Sequence, residues 1–88
     1  MADLRCEIDR IDNQLLDILA ERMTYIDRAI ILKPRENLPA RTTDRVKEVV
    51  ENVRHLAENR NLDADLVERM WRDMIEWAIA HEAKTLGS

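Results

Sequence analysis

The chain has 88 residues, 36% of them charged, and its formal net charge at pH 7 is −4. This acidic balance, with cations interleaved among acids, argues against a nucleic-acid partner, because phosphate binding needs an excess of clustered Lys and Arg. One glycine, two prolines and an aromatic content of 3% predict a single all-α domain over residues 1–88 and disfavour β structure.

The sequence also predicts where the protein is located and whether it forms oligomers. No apolar run approaches the ~20 residues that cross a membrane, and the charged N-terminus, MADLRCEIDR, lacks the apolar segment of a signal peptide. We therefore expect a cytoplasmic protein with no membrane partner. Because so short a chain rarely builds a strongly stabilising core alone, we also expect it to form oligomers.

Several kinds of catalytic chemistry find no support in the sequence. Cys6 has no adjacent histidine and is interpreted as a packing residue. His55 and His81 lie on different predicted helices, so no metal site is expected. The lone glycine, Gly87, excludes a glycine-rich phosphate loop, and the lone serine, Ser88, is the terminal residue. We expect neither a metal nor a cofactor.

The first segment, about Asp3 to Lys33, is predicted to be one long amphipathic helix. About thirty residues at 1.5 Å each span ~45 Å, which exceeds the width of a small domain. Its packing face needs a partner along its whole length, and a second copy of the chain would supply one. That face consists of two seven-residue series: Leu4, Ile11, Ile18, Tyr25 and Leu32, and Ile8, Leu15, Arg22 and Ala29.

Arg22 interrupts this apolar face with a cation. Lys33 lies eleven positions later, within about 20° of the same face and ~16 Å further along the axis. Burying unpaired charge costs several kcal/mol, so either an internal carboxylate or a bound anion must offset it. Arg5, ~25 Å from Arg22, could reach the same ligand only from a second, antiparallel copy.

Two shorter helices follow the long one. Pro34 and Pro39 bracket a loop, and the residue before a proline is disfavoured in helical geometry, so Lys33 is expected to lie at or just before the end of the first helix. Thr42, Thr43 or Asp44 can cap a second helix that runs to about Asn59. Asp63 is the expected cap of the third helix. The inward face of that helix is predicted to carry Leu66, Val67, Met70, Trp71, Met74, Ile75, Ala78 and Ile79.

Glu82 is the next position on the inward face of the third helix. It could be a solvated acid at a frayed helix end, or a buried acid that carries a proton and donates a hydrogen bond. The sequence alone leaves both alternatives open.

The chain resembles the all-helical chorismate mutases, including their isochorismate-pyruvate lyase relatives. The resemblance rests on LRCEIDRIDNQLLDILAER, on Lys33, on the proline-containing loop and on LDADLVERMWRDMIEWAIAHE, and it covers nearly the whole chain. It implies an intertwined homodimer of three-helix chains. It also implies that the reaction is the rearrangement of chorismate to prephenate, a one-substrate pericyclic step without nucleophile or cofactor.

The resemblance further implies a site shared between two subunits. Arg5 of one subunit and Arg22 of the other would hold carboxylates of the dicarboxylate substrate. Lys33 and a protonated Glu82 would donate to the ether oxygen, and Arg45 would lie near the ring carboxylate. Lys33, Glu82 and Arg22 are thus the candidate catalytic residues. The candidate substrate-binding residues are Arg5, Arg22, Lys33, Thr42, Arg45, Val46, Ala78, Ile79 and Glu82.

Departures from the mutase pattern keep two alternatives open. Val46 stands where bacterial mutases place a glutamate, Thr42 replaces an aspartate and Ala78 replaces a serine, so one end of the pocket is less polar. The lyase relatives resemble the chain at the Arg45-Val46 pair, which makes isochorismate-pyruvate lyase the first alternative. The second is a helical dimerisation module without chemistry, in which the same charges form internal salt bridges.

Overall fold

The computed structural model describes residues 1–86, so Gly87 and Ser88 lie outside the described residues. Within these residues the chain forms three α-helices: α1 (Ala2–Arg35), α2 (Thr43–Glu58) and α3 (Ala64–Leu86). Over the described part of the chain there is no strand, and the predicted all-α fold with a long first helix is confirmed. No helix among residues 1–86 is both long and apolar enough to span a membrane.

The first helix ends at Arg35, so the prediction that Lys33 lies at or just before its end is confirmed. The helix continues through Pro34, which lies within the last turn of α1. Backbone bonds from the residues that follow the helix close this turn, among them the Leu38 N–H to the Lys33 carbonyl at 2.8 Å and the Asn37 N–H to the Pro34 carbonyl at 3.2 Å. These bonds satisfy terminal carbonyls and hold the turn together beyond the proline.

Asparagine takes the place of glycine where the helices end. Asn37 follows α1 with φ 57°, and Asn61 follows α2 with φ 58°. A helix commonly ends on one residue in this left-handed conformation, which Asn tolerates better than most residues. The chain can therefore make two helix-terminating turns although its one glycine is Gly87.

The two short helices begin in different ways. The Asp63 carboxylate accepts hydrogen bonds from the backbone N–H groups of Asp65 at 2.9 Å and Leu66 at 3.1 Å, so the predicted cap of α3 is confirmed. Thr42 occupies the capping position of α2, but its side chain makes no capping hydrogen bond. Instead its carbonyl accepts the N–H of Val46 at 3.0 Å.

Helix α3 is the centre of the packing. It contacts both α2 and α1, whereas α1 and α2 do not pack on each other within the described residues. The buried apolar side chains lie mainly on α2 and α3, and α1 has none. Among residues 1–84, whose burial the structure describes, the buried apolar residues are Ala40, Val50, Val53, Ala57, Ile75 and Ala78.

The single chain is elongated and leaves much apolar surface uncovered. Its radius of gyration is 15.7 Å, against ~12 Å for a compact domain of this length. Leu66 and Met70, predicted to face inward, are 50% and 48% exposed because α3 has too few neighbours within one chain to cover them. The apolar face of α1 is equally open, with Ile11 46% and Leu15 50% exposed.

An ion-pair network on the surface joins α2 to α3. The Arg54 guanidinium donates to Glu68 at 2.7 Å and to Asp65 at 2.9 Å, and Arg72 donates to Glu68 at 2.6 Å. The hydrogen bond from Arg72, followed by that from Arg54, lowers the pKa of Glu68 below its ordinary value of 4.5. The folded chain therefore keeps Glu68 ionised in mild acid.

Because of this network, we expect the folded chain to lose stability in acid, and Glu68 to contribute to that loss. Because the pKa of Glu68 is lower in the folded than in the unfolded chain, its contribution is present above pH 4.5 and is lost as the pH falls through the folded value. The Glu68→Gln variant should be less stable at neutral pH and should lose less stability on acidification. Thermal unfolding followed by circular dichroism from about pH 7 to about pH 3 measures both effects. Glu58→Gln, at an exposed position of α2, is the control, and an equal acid response in Glu68→Gln and the native chain would contradict the prediction.

Candidate active site

A cavity of about 170 Å³ lies where the three helices meet the α1–α2 connection. For comparison, a cavity of roughly 150 Å³ is large enough to bind benzene. Eight of the nine predicted substrate-binding residues line the cavity, and Arg5 does not. The full lining is Arg22, Ile26, Lys33, Ala40, Thr42, Arg45, Val46, Val49, Ile75, Ala78, Ile79 and Glu82.

Lys33 and Glu82 form the central contact of the cavity. The Lys33 ammonium donates to Glu82 Oε2 at 2.5 Å and to the Ala40 carbonyl oxygen at 2.7 Å. Glu82 is 3% exposed and is the one buried charged residue in the described part of the chain. Since a buried carboxylate without a partner is costly, Lys33 is the group that allows Glu82 to be buried on α3.

Glu82 Oε2 accepts a hydrogen bond from the Lys33 ammonium. The expected donation by a protonated Glu82 to a substrate stays a prediction. To donate to a ligand, the Glu82 carboxyl must bind a proton, since only its protonated form carries an O–H. The expected alternative of a solvated acid at a frayed helix end is wrong, because the Glu82 side chain is 4% exposed.

Arg22 lies in the wall of the cavity and is half-buried. Within the described residues no carboxylate forms an ion pair with its guanidinium. The internal salt bridge expected for a purely structural Arg22 is therefore absent from the described part of a single chain. With Lys33 and Arg45, Arg22 places three cations around the cavity against one carboxylate, Glu82, so the cavity attracts anions.

Arg45 stands at the rim of the cavity in the first turns of α2. It is paired with Glu48, three residues later on the same helix, and both side chains are 62% exposed. An exposed pair of this kind contributes little and exchanges readily with other partners. Arg45 is therefore available to an anionic group that enters the cavity.

Arg5 is the predicted site residue that one chain does not bring to the cavity. It lies in the first turns of α1, where every side chain is exposed, seventeen residues before Arg22. At 1.5 Å per residue that separation is ~25 Å, too far for one small ligand to span. A role for Arg5 consequently requires a second copy.

Four residues of the lining were not predicted from the sequence: Ile26, Ala40, Val49 and Ile75. Helical spacing could have identified three of them, since Ile26 lies four residues after Arg22 and the other two are similarly spaced from predicted residues on α2 and α3. Ala40 carries no such signal, because it acts through its backbone carbonyl.

The described residues contain no group of three His, Cys, Asp or Glu side chains arranged to hold a metal ion. The cavity itself offers one carboxylate and three cations. Its chemistry is therefore that of hydrogen bonding and charge, which suits an anionic organic ligand.

The Lys33–Glu82 pair generates a prediction about stability. Lys33→Leu should lower the free energy of unfolding by about 3–5 kcal/mol, because it leaves Glu82 buried without a partner. The double variant Lys33→Leu/Glu82→Leu should recover most of that loss, since both charges are then gone. Urea denaturation measures each value. Arg10→Leu, which removes the exposed Glu7–Arg10 pair, is the control and should change stability little. Equal stability of the single and double variants would contradict the proposed coupling.

Comparison with known proteins places the chain in a family. The sequence profile described as chorismate mutase type II matches residues 4–83. The chain is 36% identical to an isochorismate pyruvate lyase of Pseudomonas aeruginosa, over 96% of its own length and 82% of that protein. It is 28% identical to a chorismate mutase of Methanocaldococcus jannaschii, over 86% of the chain and 77% of that protein. A bifunctional chorismate mutase/prephenate dehydratase of Buchnera aphidicola is 27% identical over 98% of the chain, which corresponds to 22% of that larger protein. The chain belongs to the chorismate mutase type II family.

Proposed function

We propose that the chain is a chorismate mutase that rearranges chorismate to prephenate, working as a single domain in the cytoplasm. The observation that carries this proposal is the cavity itself, with three cations and a buried Lys33–Glu82 pair around a space the size of a six-membered ring. A dicarboxylate ligand complements such a charge arrangement. The family supports the same reaction, which is an isomerisation.

The reaction needs no covalent help from the protein. In chorismate the ether C–O bond breaks while a C–C bond forms within one molecule, and negative charge develops on the ether oxygen. Catalysis then depends on holding the compact conformer and on stabilising that charge. Arg22 is suited to holding the compact conformer of the substrate, because it lies in the cavity wall without a described ion-pair partner.

Lys33 is suited to stabilising the negative charge that develops on the ether oxygen. Its ammonium has three N–H donors, of which two contact Glu82 and the Ala40 carbonyl, so one remains for the ether oxygen or for a substrate carboxylate. Glu82, once protonated, adds a second donor to the same oxygen. The walls of the pocket are formed by Val46, Ala78 and Ile79, with Thr42 beside the connection and Arg45 at the rim.

The lyase is a second candidate, favoured by one specific observation. The 36% identical relative is named isochorismate pyruvate lyase and matches 96% of the chain. The lining also includes several apolar side chains, among them Val46 and Ala78, so it places few polar groups near a ring hydroxyl. Isochorismate shares the two carboxylates of chorismate and would use the same cations.

The two functions are separated by assaying the purified protein with chorismate and isochorismate in parallel. We expect prephenate from chorismate, and Arg22→Leu should reduce its formation by at least about a hundredfold while stability holds or rises, because a charge in need of a ligand is removed. Release of salicylate and pyruvate from isochorismate, with no prephenate from chorismate, would make the lyase the correct function. If Arg22→Leu keeps full turnover and unfolds more readily, Arg22 is structural and the assignment of the site is wrong.

We further propose that two chains form an intertwined homodimer and that Arg5 of each completes the site of the other. The open apolar face of α1 and the exposed residues of α3 supply the surface for this association. The distance of Arg5 from Arg22 along α1 fits a role across the dimer rather than within one chain.

Mixing two inactive variants tests this arrangement. Arg5→Ala and Arg22→Leu homodimers should each have little activity, whereas a mixed dimer keeps one intact site if the two residues come from different subunits. After the variants are unfolded together and refolded in equal amounts, we expect about one quarter of native turnover. No recovery, with dimers verified by light scattering, would place both residues in the site of one subunit and contradict the shared site.

Leu15→Asp should weaken the dimer, whereas Asn13→Asp, on the opposite side of α1, is the control.

A further inference from the structure

The connection between α1 and α2, residues 36–42, carries one of the two partners of Lys33. Its first residues are held by the turn that ends α1, through the N–H groups of Asn37 and Leu38. Pro39 is exposed, and Ala40 is then buried, 5% exposed, with its carbonyl on the Lys33 ammonium. The position of Ala40 therefore helps to decide where the Lys33 ammonium points.

Arg41, the next residue, fastens the connection to α3. Its guanidinium donates to Glu76 at 2.6 Å, across 35 positions of sequence. Among the described residues this is the one hydrogen bond or ion pair that joins the connection to α3. Both members of the pair are neighbours in sequence of residues that line the cavity: Glu76 follows Ile75, and Arg41 follows Ala40. The hydrogen bond from Arg41 is the main cause that lowers the pKa of Glu76, which keeps this carboxylate charged.

We propose that Arg41 and Glu76 are a positioning pair: they hold the connection on α3 and thereby keep the Ala40 carbonyl in place to orient the Lys33 ammonium. The proposal rests on the proposed function, because its purpose is the alignment of Lys33 with the substrate. Neither Arg41 nor Glu76 lines the cavity. Both act through their neighbours in the chain and not through contact with the substrate.

The exposure of the pair defines the size of its effect. The Arg41 and Glu76 side chains are 47% and 58% exposed, and exposed ion pairs add little to overall stability. The contribution of the pair is instead local, because the pair restricts the backbone motion of the short connection between α1 and α2. Loss of the pair should let the Ala40 carbonyl leave Lys33 for part of the time, while Lys33 keeps its contact with Glu82.

The first arm of the test is kinetic. Arg41→Gln and Glu76→Gln should each lower kcat with chorismate about two- to fivefold, with a smaller change in KM, because substrate binding by the cavity cations is retained. The exchanged pair Arg41→Glu/Glu76→Arg should restore most of kcat. Arg54→Gln is the matched control, since Arg54 joins α2 to α3 through Glu68 at 2.7 Å and lies outside the cavity lining. It should lower the thermal midpoint without changing kcat.

The second arm needs no turnover, which separates failure of the proposal from failure of the proposed function. Hydrogen exchange measured by mass spectrometry should be about two- to fivefold faster over residues 38–43 in Arg41→Gln than in the native chain. The Arg54→Gln control should leave that segment unchanged. Unchanged exchange in Arg41→Gln, or a loss of kcat that the exchanged pair does not restore, would overturn the proposal. Absence of turnover with both substrates in the native chain would instead refute the proposed function and the catalytic purpose of the pair, and faster exchange would then support the tether alone.

Discussion

The contact between Lys33 and Glu82 is the interaction on which the site depends. A carboxylate that is 3% exposed is tolerated on α3 because an ammonium from α1 meets it at 2.5 Å. The same ammonium binds the Ala40 carbonyl, so one cation joins α1, α3 and the connection between α1 and α2. The group best suited to stabilise an anionic oxygen is thus also the group that holds the walls of the cavity together.

The second constraint is the surface that one chain cannot bury. Helix α1 spans 34 residues without a single buried side chain, and among the helices of residues 1–86 it packs on α3 and not on α2. A helix with such an open apolar face is unfavourable in water, so association with a second copy would serve stability and, through Arg5, the site. Such an association would add buried apolar surface to a chain of 88 residues whose own core is small.

Much of this arrangement could be predicted from the sequence, because helical periodicity reports which residues share a face. Arg22 and Lys33 were identified by their spacing on α1, and Glu82 by its position on the inward face of α3. The resemblance to the family, rather than any spacing, pointed to Arg45, Thr42 and Val46. Ala40 was missed because a backbone carbonyl leaves no trace in the sequence pattern. The exact last residue of α1, Arg35, could not be predicted, because the bonds that close its last turn come from residues beyond Pro34.

A crystal structure of the protein with bound prephenate would show whether one cavity, completed by a second subunit, binds a dicarboxylate between Lys33 and the arginines. We expect a dimer with a ligand carboxylate on Arg22, Lys33 at the ligand, and Arg5 of the partner subunit at the same ligand. Prephenate bound elsewhere, or a cavity closed without any contribution from the partner subunit, would contradict this arrangement.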